Sequence, residues 1–323
     1  MTGIWIPLVA GLLSWAVVWA MLRFRVSGPL DHPNERSLHQ APIPRSGGIG
    51  ILVGLVTALV LGGAAWTTCL AVLLLAAVSF ADDWLSLPVV LRMLCHVGAA
   101  LLALYPHYGG WALALLTVVV VWSVNLYNFM DGANGLAGGM ALFGFASYGV
   151  GAALAGDAGL AVAAGGVAAA ALGFLIFNFD PARIFMGDVG STVLGLLAAV
   201  FGIMGWHRDL WPFWFPVLVF SPFAVDATVT LMRRLLKGDK VWQAHREHYY
   251  QRLVRMGWSH RRLALAEYAL MGAAALAALG LARSAPIVQV AGLMAWVAAY
   301  VLLMGDIDRR WLRFLASTHA DTP

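Results

Sequence analysis

The feature that most constrains this chain is a series of apolar stretches that are long enough, or nearly long enough, to cross a lipid bilayer. We identify eleven of them, at about residues 4–24, 47–64, 66–81, 88–104, 110–127, 136–155, 159–177, 190–206, 211–231, 263–282 and 286–305. A helix needs about 17–25 mostly apolar residues to cross the hydrocarbon core. Because 61% of the residues are hydrophobic and only 11% are charged, we predict an all-α polytopic integral membrane protein with about eleven transmembrane helices. We expect residues 1–323 to form a single membrane-embedded domain.

The basic residues predict how these helices are oriented. If the N-terminus lies outside, the inner segments hold 18 of the 20 Lys and Arg residues, and the outer segments hold only Arg208 and Arg283. Because positive charges concentrate in cytoplasmic segments, we expect the N-terminus outside and the C-terminus in the cytoplasm. The net charge of +4 therefore reflects topology, and we expect no nucleic-acid partner.

Acidic residues also collect on the predicted inner side. Six lie at inner helix ends or in inner loops, and the outer loops hold only Asp157 and Asp209; the six are Asp82, Asp83, Asp131, Asp180, Asp188 and Asp226. A carboxylate inside the bilayer costs about 2.5–3.5 kcal/mol, so such residues usually face a cavity, a partner or an ion. We therefore expect one shared site, built from inner loops at about 25–46, 82–88, 128–135, 178–190 and 232–262.

The adjacent carboxylates Asp82 and Asp83 belong to the motif FADDWLSLP at the end of the third stretch. Two neighbouring carboxylates repel each other unless a cation or a proton lies between them. The pair on its own is equally compatible with a solvated loop start or with a cap for the next helix.

A polar segment, VWSVNLYNFMDGANGLAGG, separates two apolar stretches at residues 121–139. Asn125, Asn128 and Asp131 recur every three residues, so they share roughly one face if the helix continues. Amide and carboxylate oxygens are ligands that Mg²⁺ accepts, and Gly132 lets the backbone approach a ligand. A simple polar turn is the alternative, but a turn does not require this spacing, so we favour a functional site.

A second polar segment, FNFDPARIFMGDVGST, covers residues 177–192. Pro181 ends the preceding helix, and Asp188 lies between glycines just before the next apolar stretch. Mg²⁺ typically takes one or two carboxylates and completes its shell with waters and substrate phosphates. Asp188 fits such a ligand, and the alternative is that it only caps the helix that follows.

The last large inner loop, residues 233–263, carries nine Lys and Arg residues. A basic loop of this kind commonly lies against anionic lipid. That explanation does not account for the cluster of His245, Arg246 and His248, which suits a phosphate or a sugar hydroxyl. Arg45, in the first inner loop, is a further candidate contact for an anion.

Five motifs in this order resemble those of the polyprenyl-phosphate N-acetylhexosamine-1-phosphate transferases, which form glycosyltransferase family 4. They are RSLHQAPIPRSGGIG, ADDWLSLP, NLYNFMDGANGLAGG, NFDPARIFMGDVGSTVLG and AHREHYYQRL, between about residues 31 and 253. The family includes the phospho-N-acetylmuramoyl-pentapeptide translocases and the initiators of O-antigen synthesis. The last inner loop looks most similar to the O-antigen initiators.

The resemblance implies a reaction in which N-acetylhexosamine-1-phosphate passes from a UDP-sugar to undecaprenyl phosphate, giving undecaprenyl-diphospho-sugar and UMP. This would be the first membrane step of O-antigen or related lipopolysaccharide and cell-envelope glycan synthesis, in the bacterial inner membrane with the active site facing the cytoplasm. The implied cofactor is Mg²⁺, with Mn²⁺ as an alternative, and the implied partners are both substrates, the lipid bilayer and a second copy of the chain. The sequence leaves open whether the sugar is GlcNAc, FucNAc or QuiNAc.

The resemblance also implies roles for individual residues. The acidic pair, together with Asp188, would be catalytic, and either member of the pair could supply the base that acts on the lipid phosphate. The other implied contacts are with the metal (Asn128, Asp131, Asp188), with the nucleotide (Gly132, Asn134, Asn178 and Phe185, the last stacking on uracil), and with the sugar and phosphate (Arg45, His245, Arg246, His248).

The sequence departs from the family pattern at two points. The translocases carry a Lys shortly after the acidic pair, where this chain has Ser86 and Leu87, which argues against the pentapeptide substrate. Asn134 replaces the usual second aspartate, which puts a catalytic role at that position in doubt. A membrane transporter or Mg²⁺ channel is the rival interpretation, but transporter sites tend to lie near the bilayer midplane in repeated halves, whereas these motifs share one face.

Overall fold

The structure is a computed structural model that describes residues 3–26, 28–31, 42–105, 107–240 and 245–320. Residues 32–41, which include the start of the first family motif, lie outside the described part. The elements are α1 (Trp5–Arg23), β1 (Leu30–Asp31), β2 (Ile43–Pro44), α2 (Gly48–Leu61), α3 (Trp66–Leu85), α4 (Val89–Leu104), α5 (Gly110–Phe129), α6 (Leu136–Leu154), α7 (Ala158–Asn178), α8 (Gly187–His207), α9 (Trp214–Val219), α10 (Ser221–Leu236), α11 (Tyr249–Arg255), α12 (His260–Leu281) and α13 (Pro286–Ala320).

The predicted helical, multi-span architecture is confirmed, with nearly all of the regular structure in α-helices. Eight helices in the described part are long and apolar enough to cross a membrane, namely α1, α3, α5, α6, α7, α8, α12 and α13. Two further apolar helices, α2 and α4, are shorter. The count of eleven spans and the orientation of the two termini stay predictions. The two short strands, which pair antiparallel, are an element that the sequence did not predict.

Two boundaries differ from the prediction in ways that affect the predicted inner face. Helix α3 continues to Leu85, so the acidic pair lies in its last turn and not in a loop. The predicted stretch 211–231 is two helices, α9 and α10, which meet at Phe220. Pro222 lies in the first turn of α10, where a missing N–H is tolerated and where it cannot continue the preceding helix.

Helix α8 is the most completely buried of the long helices, and its contacts bring the site together. It packs against α5 so closely that a Cβ on Gly195 would lie 2.7 Å from the carbonyl oxygen of Ser123. The hydroxyl of Ser123 in turn donates to the carbonyl of Gly195 at 2.8 Å. On the other side, Ser79 of α3 and Thr192 of α8 are joined by a 2.9 Å hydrogen bond. The ends of α3, α5 and α8 that carry the polar motifs are therefore held next to one another.

Candidate active site

The first inner loop is joined to the loop before α8 by backbone hydrogen bonds. The N–H of Gly47 donates to the carbonyl of Phe185 at 2.9 Å, and the N–H of Phe185 donates to the carbonyl of Pro44 at 2.7 Å. Gly187 has a φ of +70°, and a Cβ there would lie 2.2 Å from the carbonyl oxygen of Arg45. Glycine at this position thus allows the backbone of Arg45 to lie against the start of α8.

Arg45 connects two of the predicted catalytic carboxylates. Its Nη2 lies 3.2 Å from Oδ1 of Asp83 and 3.3 Å from Oδ1 of Asp188. The Asp83 carboxylate also accepts a hydrogen bond from the backbone N–H of Asp188, so a side chain from α3 satisfies a free amide at the N-terminus of α8. Met186 is the N-cap residue of α8, and the interpretation of Asp188 as an N-cap is therefore wrong.

Asn128, in the last turn of α5, completes this group. Its side chain hydrogen-bonds the Asp188 carboxylate, and its Oδ1 accepts a hydrogen bond from Ser191 at 2.9 Å. Asp188 of α8 thus contacts both Asp83 of α3 and Asn128 of α5, so residues of three different helices meet here. Their predicted catalytic and metal-binding roles stay predictions.

Asp131 follows α5 and adds negative charge to the same region. Burial and then the nearby Asp188 carboxylate raise the pKa of Asp131 to about 7, with Asp83 adding to the effect and Arg45 acting against it. The carboxylates of Asp83 and Asp188 thus contact a single guanidinium, and Asp131 adds a third negative charge close enough to act on them electrostatically. Such an excess of negative charge favours the binding of a cation.

The donor set suits magnesium more than zinc. Within the described ranges, no group of three His, Cys, Asp or Glu side chains is arranged to hold a metal ion. Mg²⁺ does not need such a group, because it takes one or two carboxylates and fills its remaining positions with water and substrate phosphate. Asp188, with the amide oxygen of Asn128 and the nearby Asp131, supplies oxygen donors of this kind, so the residues present fit Mg²⁺.

Asp82 contacts different residues from those that its neighbour Asp83 contacts. Its Oδ2 lies 2.9 Å from Nη1 of Arg92, and its Oδ1 accepts the N–H of Leu87 at 2.7 Å. The Nε of Arg92 is buried and has no hydrogen-bond partner. The sequence prediction did not single out Arg92, although a charge within the otherwise apolar stretch 88–104 is a signal that could have found it.

A cavity of about 650 Å³ opens from this polar group. One end is lined by Asp82, Arg92, Asn128, Asp188, His245 and His248. The walls come mainly from apolar side chains of α3, α4 and α5, among them Val78, Val89, Met93, Val97, Val118 and Val121. The cavity therefore has a charged end and a long apolar wall, which suits an amphipathic ligand.

The segment that carries His245, Arg246 and His248, here called the His–Arg loop, reaches the cavity because Asp226 of α10 holds it. Asp226 accepts hydrogen bonds from the backbone N–H groups of Tyr249 and Tyr250 at 2.9 and 3.0 Å, and its Oδ1 lies 3.2 Å from Nδ1 of His248. The ring of His245 lies 4.8 Å from that of His248, centroid to centroid. The same carboxylate thus caps α11 and orients a histidine that lines the cavity.

His245 is held in its neutral form. Burial is the main cause, and His248 and Arg234 add to it, so the pKa of His245 falls to about 4 despite the opposing charge of Asp226. Arg246 is half-buried, and its carbonyl accepts a hydrogen bond from Arg255.

Two of the predicted nucleotide contacts join loops to one another. Asn178 is buried, accepts the N–H of Gly135 at 3.0 Å and donates to the carbonyl of Ile184 at 2.9 Å. Asn134 donates to Asp180 at 2.8 Å. In the structure these amides hold the loops after α5 and α7 together, and a direct contact with a nucleotide stays a prediction.

The other two predicted nucleotide contacts also lie at loop junctions. Gly132 packs against Tyr250, whose Oη would lie 2.1 Å from a Cβ at that position. Phe185 is half-buried and pairs through its backbone with the first inner loop.

The fold and the site define a polytopic helical membrane protein with an acidic, arginine-containing site at one end of an apolar cavity. Residues 65–206 match the sequence pattern of the family described as Glycosyl transferase family 4. The chain belongs to this family, and the predicted family is confirmed.

Three relatives are similar over most of their length. The chain is 30% identical to a decaprenyl-phosphate N-acetylglucosaminephosphotransferase of Mycobacterium tuberculosis (strain CDC 1551 / Oshkosh), over 78% of this chain and 75% of the relative. It is 27% identical to a probable undecaprenyl-phosphate N-acetylglucosaminyl 1-phosphate transferase of Bacillus subtilis (strain 168), over 83% and 82%. It is 26% identical to an undecaprenyl-phosphate alpha-N-acetylglucosaminyl 1-phosphate transferase of Yersinia pestis, over 78% and 76%.

Proposed function

We propose that this protein transfers N-acetylglucosamine-1-phosphate, or a closely related N-acetylhexosamine-1-phosphate, from a UDP-sugar to undecaprenyl phosphate. The observation that carries the proposal is a cavity with apolar walls that ends at clustered carboxylates and arginines. The names of the relatives support the same chemistry, because each is described as transferring a sugar phosphate to a polyprenyl phosphate.

The cavity suits the lipid acceptor. Its apolar walls, formed by α3, α4 and α5, can bury the first isoprene units of the carrier, and its volume of about 650 Å³ is in the usual range for a ligand site of about 300–1,000 Å³. The lipid phosphate would then lie at the charged end, beside Arg92 and Asp82. Arg92 can bind it because a guanidinium donates several hydrogen bonds in a fork that matches phosphate oxygens.

The group around Arg45 suits the nucleotide diphosphate. Arg45 can contact a phosphate, while Asp188 and Asn128, with Asp131 nearby, would hold Mg²⁺. Bound there, Mg²⁺ would offset the repulsion between the two phosphates and stabilise charge on the departing UMP. The loop of His245, Arg246 and His248 would bind the sugar-phosphate.

In the proposed step an oxygen of the lipid phosphate attacks the phosphorus that carries the sugar. A P–O bond forms to that phosphorus, and the bond between the two phosphates of the UDP-sugar breaks, so that UMP leaves with the electron pair. Asp82 is the member of the acidic pair that lines the cavity. We propose that Asp82 is the base that accepts the proton of the lipid phosphate. Asp83 instead faces Arg45 and the start of α8, where it sets the position of Asp188.

The cellular setting belongs to the same proposal. We infer a bacterial inner-membrane enzyme whose active site faces the cytoplasm and which works as a homodimer. Its product would begin the membrane assembly of O-antigen or a related cell-envelope glycan.

The proposal is tested with purified protein, undecaprenyl phosphate and a panel of UDP-sugars. We expect UMP release that requires Mg²⁺ or Mn²⁺, and we expect Asp188→Asn to abolish it. Asp209→Asn, in a predicted outer loop, is the matched control and should retain activity. Release of UMP at the wild-type rate by Asp188→Asn would refute the assigned site, and flux of Mg²⁺ through proteoliposomes without transfer would favour a transporter.

A further inference from the structure

Helix α13 ends in a polar segment that extends well past its apolar part. The helix has 35 residues, which at about 1.5 Å per residue gives roughly 50 Å, whereas the hydrocarbon core of a bilayer is about 30 Å thick. The extra length contains Asp306 and Asp308, which none of the sequence motifs include. The two carboxylates lie two residues apart on the same helix but have different partners.

Asp308 connects α13 to two other elements. Its Oδ1 lies 2.8 Å from Nη1 of Arg233 in α10 and 2.9 Å from Nη1 of Arg252 in α11. Its Oδ2 accepts a hydrogen bond from the hydroxyl of Tyr249 at 3.2 Å. A single carboxylate thus ties together α10, α11 and α13.

Arg252 links Asp308 to the His–Arg loop. Its side chain is buried, and its Nε donates at 2.8 Å to the carbonyl of Glu247, the residue between Arg246 and His248. Its guanidinium also lies 4.9 Å from the centroid of the Tyr249 ring. Arg252 therefore contacts Asp308 with one nitrogen and the backbone of the loop with another.

Asp306 makes no comparable connection in the part of the chain that the structure describes. It pairs with Arg310 at 2.7 Å and with Arg309 at 4.0 Å, both on its own helix and both largely exposed. Exposed pairs of this kind contribute little. Asp306 is therefore a matched control for Asp308, with the same charge on the same helix.

We propose that Asp308 is a positioning residue for the transfer reaction: through Arg252 it fixes the loop of His245, Arg246 and His248 against the end of the cavity. This inference rests on the proposed function, in which that loop binds the sugar-phosphate. It assigns the predicted inner end of α13 to the site, although no α13 side chain that the structure describes lines the cavity.

The test compares Asp308→Asn, Asp308→Glu and Asp306→Asn in the full-length protein. We expect Asp308→Asn to raise KM for UDP-GlcNAc about tenfold or more, as a displaced binding group does, while KM for undecaprenyl phosphate changes by less than about twofold. Asp308→Glu should recover part of the loss, and Asp306→Asn should match the wild type. Equal kinetics for Asp308→Asn and Asp306→Asn would overturn the inference.

A second measurement does not depend on catalysis. Hydrogen exchange of the amides in residues 245–255 should be faster in Asp308→Asn than in Asp306→Asn, with exchange in α6 and α7 unchanged. If Asp308→Asn does not fold, Tyr249→Phe removes only one hydrogen bond to the carboxylate and should give a smaller change in the same direction. Unchanged exchange would overturn the inference, whereas a wild-type protein that releases no UMP would refute the proposed function alone.

Discussion

Replacing Gly187 by alanine should damage the site through a steric contact that can be stated in ångströms. The new Cβ would lie 2.2 Å from the carbonyl oxygen of Arg45, and the two atoms would have to move more than 1 Å apart to reach an ordinary contact of 3.4 Å. The oxygen belongs to the backbone and cannot rotate away. The strain should therefore separate Arg45 from Asp83 and Asp188, whose contacts with it are 3.2 and 3.3 Å.

The size of the effect follows from two contributions. Alanine in the left-handed region costs about 1–2 kcal/mol in stability, and a displacement of about 1 Å at a catalytic group can reduce the rate about 100-fold. Gly63 provides a control, since its φ of +73° is nearly the same as the +70° of Gly187 but no atom lies within 4 Å of a Cβ there. Both variants share the backbone cost, and only Gly187→Ala adds the displacement.

The assay is UMP release by the two variants, together with thermal unfolding in detergent. Gly187→Ala should lose about 100-fold in activity, while Gly63→Ala should remain close to the wild type in activity despite a similar backbone cost in stability. If both variants were fully active, or if both lost activity equally, the contact between the first inner loop and α8 would not position the site as described.

Two further predictions concern the other end of the cavity. Arg92→Gln should raise KM for undecaprenyl phosphate about tenfold, because a charge-assisted contact with the phosphate is lost, and should change KM for the UDP-sugar little. Kinetics in which each substrate is varied in turn measure both values. A rise in KM for the UDP-sugar alone would contradict the prediction. The low pKa of His245, about 4, predicts pH-dependent stability, because an unfolded histidine binds its proton at about pH 6.5. The folded state then binds fewer protons, so stability should fall as the pH drops from about 6.5 to about 4, and His245→Asn should lessen this fall in thermal unfolding scans. An equal fall in both proteins would show that His245 is not the group responsible.

The sequence predicted much of the candidate site because its signals are chemical and local. Carboxylates and amides at the ends of apolar stretches are rare and costly, and the expectation that Asp83, Asn128 and Asp188 converge agrees with their contacts in the structure. The periodicity argument for Asn125, Asn128 and Asp131 was only partly successful. Helix α5 ends at Phe129, so the third residue reaches the region from a turn and not from the same helical face.

Other features depend on contacts between distant parts of the chain, which spacing alone does not reveal. The pairing of the first inner loop with the segment before α8 is made by backbone groups, so it leaves no mark on side-chain composition. Asp226 and Asp308 both contact residues of α11, and their own sequence neighbours do not indicate that they meet there. Asn178 shows a different limit. The resemblance implied a nucleotide contact there, but the sequence did not indicate that the side chain is buried and hydrogen-bonded to Gly135 and Ile184.

The central claim is that a phosphate-bearing sugar, and not the sugar alone, passes to the lipid at the end of the cavity. Mass spectrometry of both products from UDP-GlcNAc and undecaprenyl phosphate tests this claim most directly. We predict UMP and a lipid that carries two phosphates and one sugar. Release of UDP together with a lipid that carries a single phosphate would contradict the account.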